Sequence, residues 1–123
     1  TLLLKGYSSY EKILEIATYL RDVTDNASHQ GQNRAWVSEI LTYKACAEND
    51  FNLTKKSFES MASTIVIVTT QGTEGIKVDG SFHQHHAQLY SGGYGLSIIT
   101  YLSTFMELAE GSLFYQVFTP AKI

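Results

Sequence analysis

Residues 94–111 read Tyr-Gly-Leu-Ser-Ile-Ile-Thr-Tyr-Leu-Ser-Thr-Phe-Met-Glu-Leu-Ala-Glu-Gly and carry the clearest helical signal in the chain. Apolar side chains recur there at intervals of three and four, which is the spacing of one face of an α-helix. The buried face predicted from this spacing consists of Leu96, Ile99, Leu102, Phe105, Met106 and Ala109. Glycine tolerates the left-handed backbone that commonly ends helices, so we predict a helix from about Tyr94 that ends near Gly111.

Three segments upstream are also predicted to be helical. The first, residues 9–23, follows the capping-box pattern of Ser8 and Glu11. The second runs from Arg34 to the polar residues 48–50, and the third begins near residue 52 or 54 and extends into the β-branched run at 64–70. Their apolar stripes are Ile13, Leu14, Ile16, Ala17, Leu20 and Val23; Trp36, Val37, Ile40, Leu41, Lys44 and Ala45; and Phe58, Met61, Ala62, Ile65 and Val66.

Irregular segments separate these helices. Residues 24–32 are polar and indicate a loop that ends at Asn33, and residues 71–91 form a long loop interrupted by glycines. Residues 112–118 are predicted to form one more short helix, which Pro120 stops. Helices of similar length joined by loops favour an all-α fold of stacked helical hairpins.

Length and charge exclude several classes of protein. The 123 residues fit one compact domain, and no apolar run approaches the roughly 20 residues that span a membrane. The formal net charge is −3, and the nine lysines and arginines are scattered along the chain. We therefore expect neither nucleic acid nor a membrane as a partner.

Residues 78–95 hold the densest set of reactive side chains. His83, His85 and His86 lie within four positions, which raises the question of a metal site. Because His29 and Cys46 are distant in sequence, no recognisable set of three or four ligands emerges, and we predict no metal and no cofactor. Without a metal, the segment offers an imidazole that titrates near neutral pH and the phenols of Tyr90 and Tyr94.

Two motifs in this sequence resemble a known family. Residues 79–85, Asp-Gly-Ser-Phe-His-Gln-His, precede Tyr-Ser-Gly-Gly-Tyr-Gly at residues 90–95, and this pair of strings looks like the active-site segment of polysaccharide lyase family 8. Upstream, residues 31–34, Gly-Gln-Asn-Arg, are similar to that family's Gly-x-Asn-Arg element. The family contains hyaluronate, chondroitin and xanthan lyases.

The resemblance implies a fold and a position within it. Residues 1–123 would form the central part of an incomplete α/α toroid, with flanking toroid helices and β-sandwich domains outside this segment. The family's upstream tryptophan-rich patch and its downstream arginine have no match in this sequence. Trp36 follows the asparagine motif and is not assigned to that patch.

The resemblance also implies a reaction, the β-elimination of uronic-acid-containing polysaccharides to give 4,5-unsaturated uronate ends. Asn33, His85 and Tyr94 would be the catalytic residues, with an acidic polysaccharide as the substrate. The residues expected to contact that substrate are Arg34, Gln84, His86 and Tyr90. The enzyme is expected to be secreted, with its signal peptide outside this segment because residues 1–4 lack the features of one.

Alternatives remain open at this stage. The chain could instead be a helical carbohydrate-binding or structural module without catalysis, or a different toroidal or metal-dependent enzyme that uses the three clustered histidines. Taken singly, Asn33 is explained by helix N-capping, Tyr94 by core packing and His85 by hydrogen bonding within a loop. Since the matched motifs supply only part of a site, we expect these residues alone to be inactive without the rest of the parent chain.

Overall fold

The computed structural model describes residues 29–119 together with Glu11 and Glu15. The predicted helix at residues 9–23 therefore lies, apart from those two glutamates, outside the described residues. Three α-helices are described: α1 (Gly31–Glu48), α2 (Phe51–Ala62) and α3 (Leu96–Ala109). The shorter elements are the 3₁₀ turns Ser63–Ile65 and Leu113–Phe118, the π-helical turn Ser91–Gly95, and the strands β1 (Gly75–Ile76), β2 (Phe82–Gln84) and β3 (Gln88–Leu89).

A tight connection makes α1 and α2 a helical hairpin. Asn49 adopts a left-handed backbone conformation (φ 57°) directly after α1, and the N–H of Asp50 donates to the carbonyl of Ala45 at 2.9 Å. The Asp50 carboxylate then caps α2 by accepting the N–H of Leu53 at 2.9 Å. Between the helices, the Thr42 hydroxyl donates to Ser57 Oγ at 2.8 Å. The Thr42–Ser57 contact lies in the buried seam of the hairpin, where an unpaired hydroxyl would be costly.

Aromatic side chains join α3 to this hairpin. Phe58 of α2 packs against Phe105 of α3, with ring centroids 5.0 Å apart, and against Phe118 at 6.3 Å. The face that α3 buries consists of Ile98, Leu102, Phe105 and Ala109. Leu102, Phe105 and Ala109 were predicted correctly.

The prediction for the rest of the α3 face was wrong. Leu96, Ile99 and Met106 are exposed by 63%, 59% and 39%, and Ile98, absent from the predicted set, is buried at 1% exposure. The physical reason is that α3 carries two apolar stripes, and spacing alone cannot tell which stripe faces the hairpin. The predicted end of the helix is close to the observed one, with Gly111 at φ 72° two residues after Ala109.

The third predicted helix extends too far. α2 ends at Ala62 and the following 3₁₀ turn ends at Ile65, after which the chain is extended. Ile67 forms a parallel bridge with Ile76 of β1. The run at 64–70 is rich in β-branched residues, and these favour extended backbone over helix.

The long loop predicted at residues 71–91 contains a small antiparallel sheet in the order β1-β2-β3. Ile76 pairs with Phe82, and His83 pairs with Leu89. Phe82 is buried in the core, so the sheet is attached to the helices through β2. The domain is mostly helical, which confirms the predicted fold class, and none of the described helices could cross a lipid bilayer.

The cap of α2 gives a direct test of this fold. We expect Asp50→Ala to lower the free energy of unfolding by about 1 kcal/mol, because the Leu53 N–H loses its acceptor at the helix start. Asp50→Asn keeps an oxygen in place and should stay within a few tenths of a kcal/mol of the parent protein. Urea unfolding followed by circular dichroism measures both. Equal stability of the alanine and asparagine variants would contradict the cap.

Candidate active site

The sheet and the turn before α3 bring a histidine and a tyrosine together. His85 Nε2 lies 3.3 Å from the Tyr94 hydroxyl, and the two ring centroids are 5.3 Å apart. His85 follows β2 directly, and Tyr94 lies in the π-helical turn that leads into α3. The imidazole and the phenol are therefore within hydrogen-bonding distance, although nine residues separate them.

Two further aromatic rings fix the tyrosine. Tyr90 packs edge-to-face on Tyr94, with centroids 5.1 Å apart, and on His85 at 5.8 Å. Trp36 of α1 contacts Tyr94 from another side at 6.2 Å. Edge-to-face aromatic pairs at such distances are favourable beyond their buried area. The Tyr94 ring is thus enclosed by three aromatic neighbours from α1, the sheet region and the turn before α3.

Asn33 lies on the same surface. It is exposed in the first turn of α1, and residue Trp36, one turn later, shares its face of the helix. An open cleft of about 400 Å³ is lined by His29, Gln30, Asn33, Gly72, Thr73, Glu74 and His86. Asn33 and His86 thus line one cleft, while the neighbouring residue His85 reaches Tyr94.

The start of α1 excludes helix N-capping as the explanation of Asn33. α1 begins at Gly31, and its N-cap residue is Gln30, so Asn33 is not the N-cap. Asn33 is exposed and lines the cleft, so a ligand in the cleft can reach its amide. The capping interpretation of Asn33 was therefore wrong.

A series of hydrogen bonds, buried at the helix and exposed at its far end, connects α1 to the sheet. Gln84, 1% exposed, accepts the backbone N–H of Gln32 at 2.9 Å through Oε1. Its Nε2 donates to Glu74 Oε2 at 2.5 Å, and Glu74 Oε1 accepts the backbone N–H of His85 at 3.0 Å. The start of α1, which carries Asn33, is tied in this way to the strand end that carries His85.

Glu74 was missed from the sequence. It stands between Gly72 and Gly75 in a segment predicted to be a loop, and an isolated glutamate in a glycine-containing loop has no distinguishing pattern. The one signal that could have found it is the strand pairing, which places β1 beside β2 and so brings residue 74 next to residues 84 and 85. That pairing was not predicted.

The four predicted substrate contacts differ in accessibility. His86 is exposed in the cleft, whereas Tyr90 is half-buried and packed on the aromatic rings. Arg34 donates to the His29 carbonyl at 2.7 Å and to Ser63 Oγ at 3.0 Å, and it lines an adjoining cleft of about 270 Å³. Gln84 is buried, which commits its side chain to the protein's own hydrogen bonds.

His83 lies in β2 and contacts the chain on both sides of that strand. Its Nδ1 lies 3.0 Å from the Ala87 carbonyl and its Nε2 lies 3.1 Å from Ser81 Oγ. Ser81 donates through its hydroxyl and its N–H to Asp79, which holds the pKa of that carboxyl below its usual value. Across the described ranges no group of three or more His, Cys, Asp or Glu side chains is arranged to hold a metal ion.

Gly31 tests the contact between α1 and the sheet. A Cβ atom on Gly31 would lie 2.5 Å from Gln84 Oε1, and Gln84 cannot move away without leaving a buried hydrogen bond unmade. We expect Gly31→Ala to destabilise the protein by about 1–3 kcal/mol more than Gly72→Ala. Gly72 is a matched control because its φ is also positive (74°), yet nothing lies within 4 Å of its Cβ position. Denaturant unfolding of both variants measures this difference, and equal losses of unfolding free energy would contradict the contact.

The comparisons with known proteins identify the class as that of the polysaccharide lyases. Residues 10–119 match the family model described as "Polysaccharide lyase family 8, N terminal alpha-helical domain". The chain therefore belongs to polysaccharide lyase family 8. This confirms the family and the helical fold class expected from the motifs.

The chain matches only part of the length of two relatives. It is 30% identical over 100 residues to a xanthan lyase of Bacillus sp. (strain GL1), covering 79% of this chain and 11% of that protein. It is 32% identical over 82 residues to a hyaluronate lyase of Thermasporomyces composti, covering 67% of this chain and 10% of that protein. The matched region thus spans about a tenth of the length of these relatives.

Proposed function

We propose that this chain supplies active-site residues of a lyase that cleaves uronic-acid-containing polysaccharides by β-elimination. The observation that carries the proposal is the pairing of His85 Nε2 with the Tyr94 hydroxyl at 3.3 Å, on the surface where Asn33 lines a cleft. The relatives named as a xanthan lyase and a hyaluronate lyase support a polysaccharide as the substrate.

The reaction sets three chemical demands. A base removes the proton on C5 of the uronate, and the electron pair left behind forms the C4–C5 double bond. The bond from C4 to the glycosidic oxygen breaks, and that oxygen takes up a proton. Negative charge develops on the uronate carboxyl group as the C5 proton leaves, so a donor that stabilises this charge lowers the barrier.

Asn33 meets the demand for a donor. Its amide is neutral, so it hydrogen-bonds the uronate carboxyl group without the repulsion that a carboxylate would cause. Its position in the first turn of α1 adds the partial positive charge of a helix N-terminus. Its exposure in the cleft leaves the amide accessible to a polymer.

Tyr94 and His85 meet the demand for proton transfer. A phenol serves both as base, in its ionised form, and as acid, after it has taken the C5 proton. We assign both steps to Tyr94, and we assign to His85 the polarisation of the phenol through the 3.3 Å contact. The rings of Trp36 and Tyr90 hold the phenol in place, which favours a fixed geometry for transfer.

Charge limits what this chain does by itself. The formal net charge is −3, and Glu74 lines the cleft with Asn33, which disfavours an acidic polymer. We propose that cationic groups from the rest of the polypeptide hold the substrate and that this chain alone is inactive. A polymeric substrate also favours secretion of the parent enzyme, which is part of this proposal.

Tyr94→Phe tests the phenol. In the full-length protein, cleavage of hyaluronan, chondroitin or xanthan should create unsaturated uronate ends, which appear as new ultraviolet absorbance. Removing the hydroxyl should lower kcat by about 10³-fold, since the variant loses its acid–base group. Tyr115→Phe is the matched control, because Tyr115 is an exposed tyrosine on the final 3₁₀ turn. Undiminished turnover by Tyr94→Phe, with folding unchanged, would exclude the assignment, and binding without cleavage by the parent protein would favour a carbohydrate-binding module.

Asn33→Ala tests the donor. We expect a loss of about 10²-fold in kcat in the same absorbance assay, because the developing charge loses one neutral donor. The free energy of unfolding should change little, since Asn33 is exposed and is not the N-cap of α1. Asn52→Ala, an exposed asparagine in the first turn of α2, is the control. Lower stability with normal turnover would instead point to a structural role for Asn33.

A further inference from the structure

We infer that Glu74 is a positioning residue that, through Gln84 and the His85 backbone, sets the place of His85 relative to Asn33. The inference rests on the proposed function, since it concerns the geometry of the residues assigned to the reaction. Glu74 lies just before β1, and no motif in the sequence marks it. It contacts the sheet through Gln84 and the His85 N–H, and it packs against the start of α1.

Both carboxylate oxygens of Glu74 are engaged by neighbouring residues. Oε2 accepts from Gln84 Nε2 at 2.5 Å, and Oε1 accepts from the His85 N–H at 3.0 Å. The two donors are consecutive in the chain, so one side chain fixes both the end of β2 and the backbone that follows it. With both oxygens occupied in this way, Glu74 is suited to holding structure rather than to accepting a proton from substrate.

The hydrogen bonds continue to the helix that carries Asn33. Gln84 Oε1 accepts the Gln32 N–H at 2.9 Å, and Gln32 immediately precedes Asn33. We call the side chains of Glu74 and Gln84 the Glu74–Gln84 pair. The pair joins Gln32, which precedes Asn33, to the backbone of His85, whose imidazole contacts Tyr94. A change of length or donor pattern in this pair would alter the separation between the Asn33 amide and the imidazole.

Packing leaves the pair little freedom to adjust. Gln84 is 1% exposed and Gln32 is fully buried. A Cβ atom on Gly31 would lie 2.5 Å from Gln84 Oε1 and 3.3 Å from Glu74 Oε2, so the pair fills the space against the start of α1. His85 is also held at φ 52°, a left-handed conformation that is uncommon outside glycine and that its bonded N–H helps to stabilise.

A carboxylate suits position 74 because both of its partners are donors. In Glu74→Gln the introduced amide has one oxygen and one NH₂ group, so it cannot accept from Gln84 Nε2 and from the His85 N–H through separate oxygens. The reciprocal exchange, Glu74→Gln combined with Gln84→Glu, restores the complementarity. The introduced carboxylate then accepts from position 74 and from the Gln32 N–H, while the introduced amide oxygen accepts from His85.

The experiment compares these variants in the full-length protein by the absorbance assay, with kcat and KM determined separately. We expect Glu74→Gln to lower kcat by about 10-fold with KM changed less than about twofold, because misplaced reacting groups slow the chemical step. The exchange variant should recover kcat to within about threefold of the parent protein. Glu107→Gln, which removes an exposed carboxylate near the far end of α3, should leave both constants unchanged.

Each outcome bears on the inference. An inactive parent protein would overturn the proposed function, whereas an active parent with unchanged kcat in Glu74→Gln would overturn the positioning role alone. A loss of kcat that the exchange does not restore would also overturn it, because charge or folding would then explain the loss. Thermal unfolding accompanies every assay. If Glu74→Gln does not melt cooperatively, Glu74→Asp takes its place; that variant keeps the charge but shortens the side chain, and it should show the same fall in kcat.

Discussion

The side chain of Gln84 is the constraint on which the arrangement of this domain depends. It is buried between the start of α1 and the small sheet, and each end of its amide meets a complementary partner. An amide left unpaired in such a place costs about 1–3 kcal/mol, so the sheet cannot slide along the helix without a penalty. The requirement to satisfy one buried polar group thereby fixes the start of α1 relative to the end of β2.

A second set of contacts fixes the opposite side of the same surface. Trp36 packs on Tyr94 with ring centroids 6.2 Å apart while it remains 38% exposed, so this large aromatic residue has a partner outside the main core. Tyr90 closes the cluster from the strand side. Polar bonds therefore hold the backbone beside His85, and ring packing holds the side chain of Tyr94. Hydrogen bonds thus fix His85 and ring packing fixes Tyr94, and these two residues form one hydrogen-bonded pair.

The sequence predicted the features that depend on local spacing. The helices from Arg34 and near Tyr94 appear in the structure because three- and four-residue spacing is a property of a single element, and the short segment at 112–118 is a 3₁₀ turn. The motif residues Asn33, His85 and Tyr94 were selected from their order and type. In the structure His85 pairs with Tyr94, and Asn33 lines a cleft together with His86.

What depends on the packing of several elements was not predictable. Packing of α3 against the hairpin buries the stripe that contains Ile98 and leaves the stripe that contains Leu96 exposed. No local sequence pattern indicates which of the two stripes is buried. The sheet within residues 71–91 has strands of two or three residues, too short for an alternating pattern to appear. Glu74 acquires its partners only through that sheet. Residue type therefore suggested the candidate site residues, whereas the side chains that hold them in place are apparent only from the fold.

The left-handed backbone of His85 limits which side chains position 85 can hold without strain. At φ 52° most residues other than glycine are strained, and histidine is among the few types that adopt this region more often than average. Replacing His85 by alanine would thus remove the ring and distort the turn at the same time, so a loss of activity would have two causes. Asparagine also tolerates this conformation and lacks the imidazole. His85→Asn therefore separates the contribution of the imidazole ring from that of the backbone conformation.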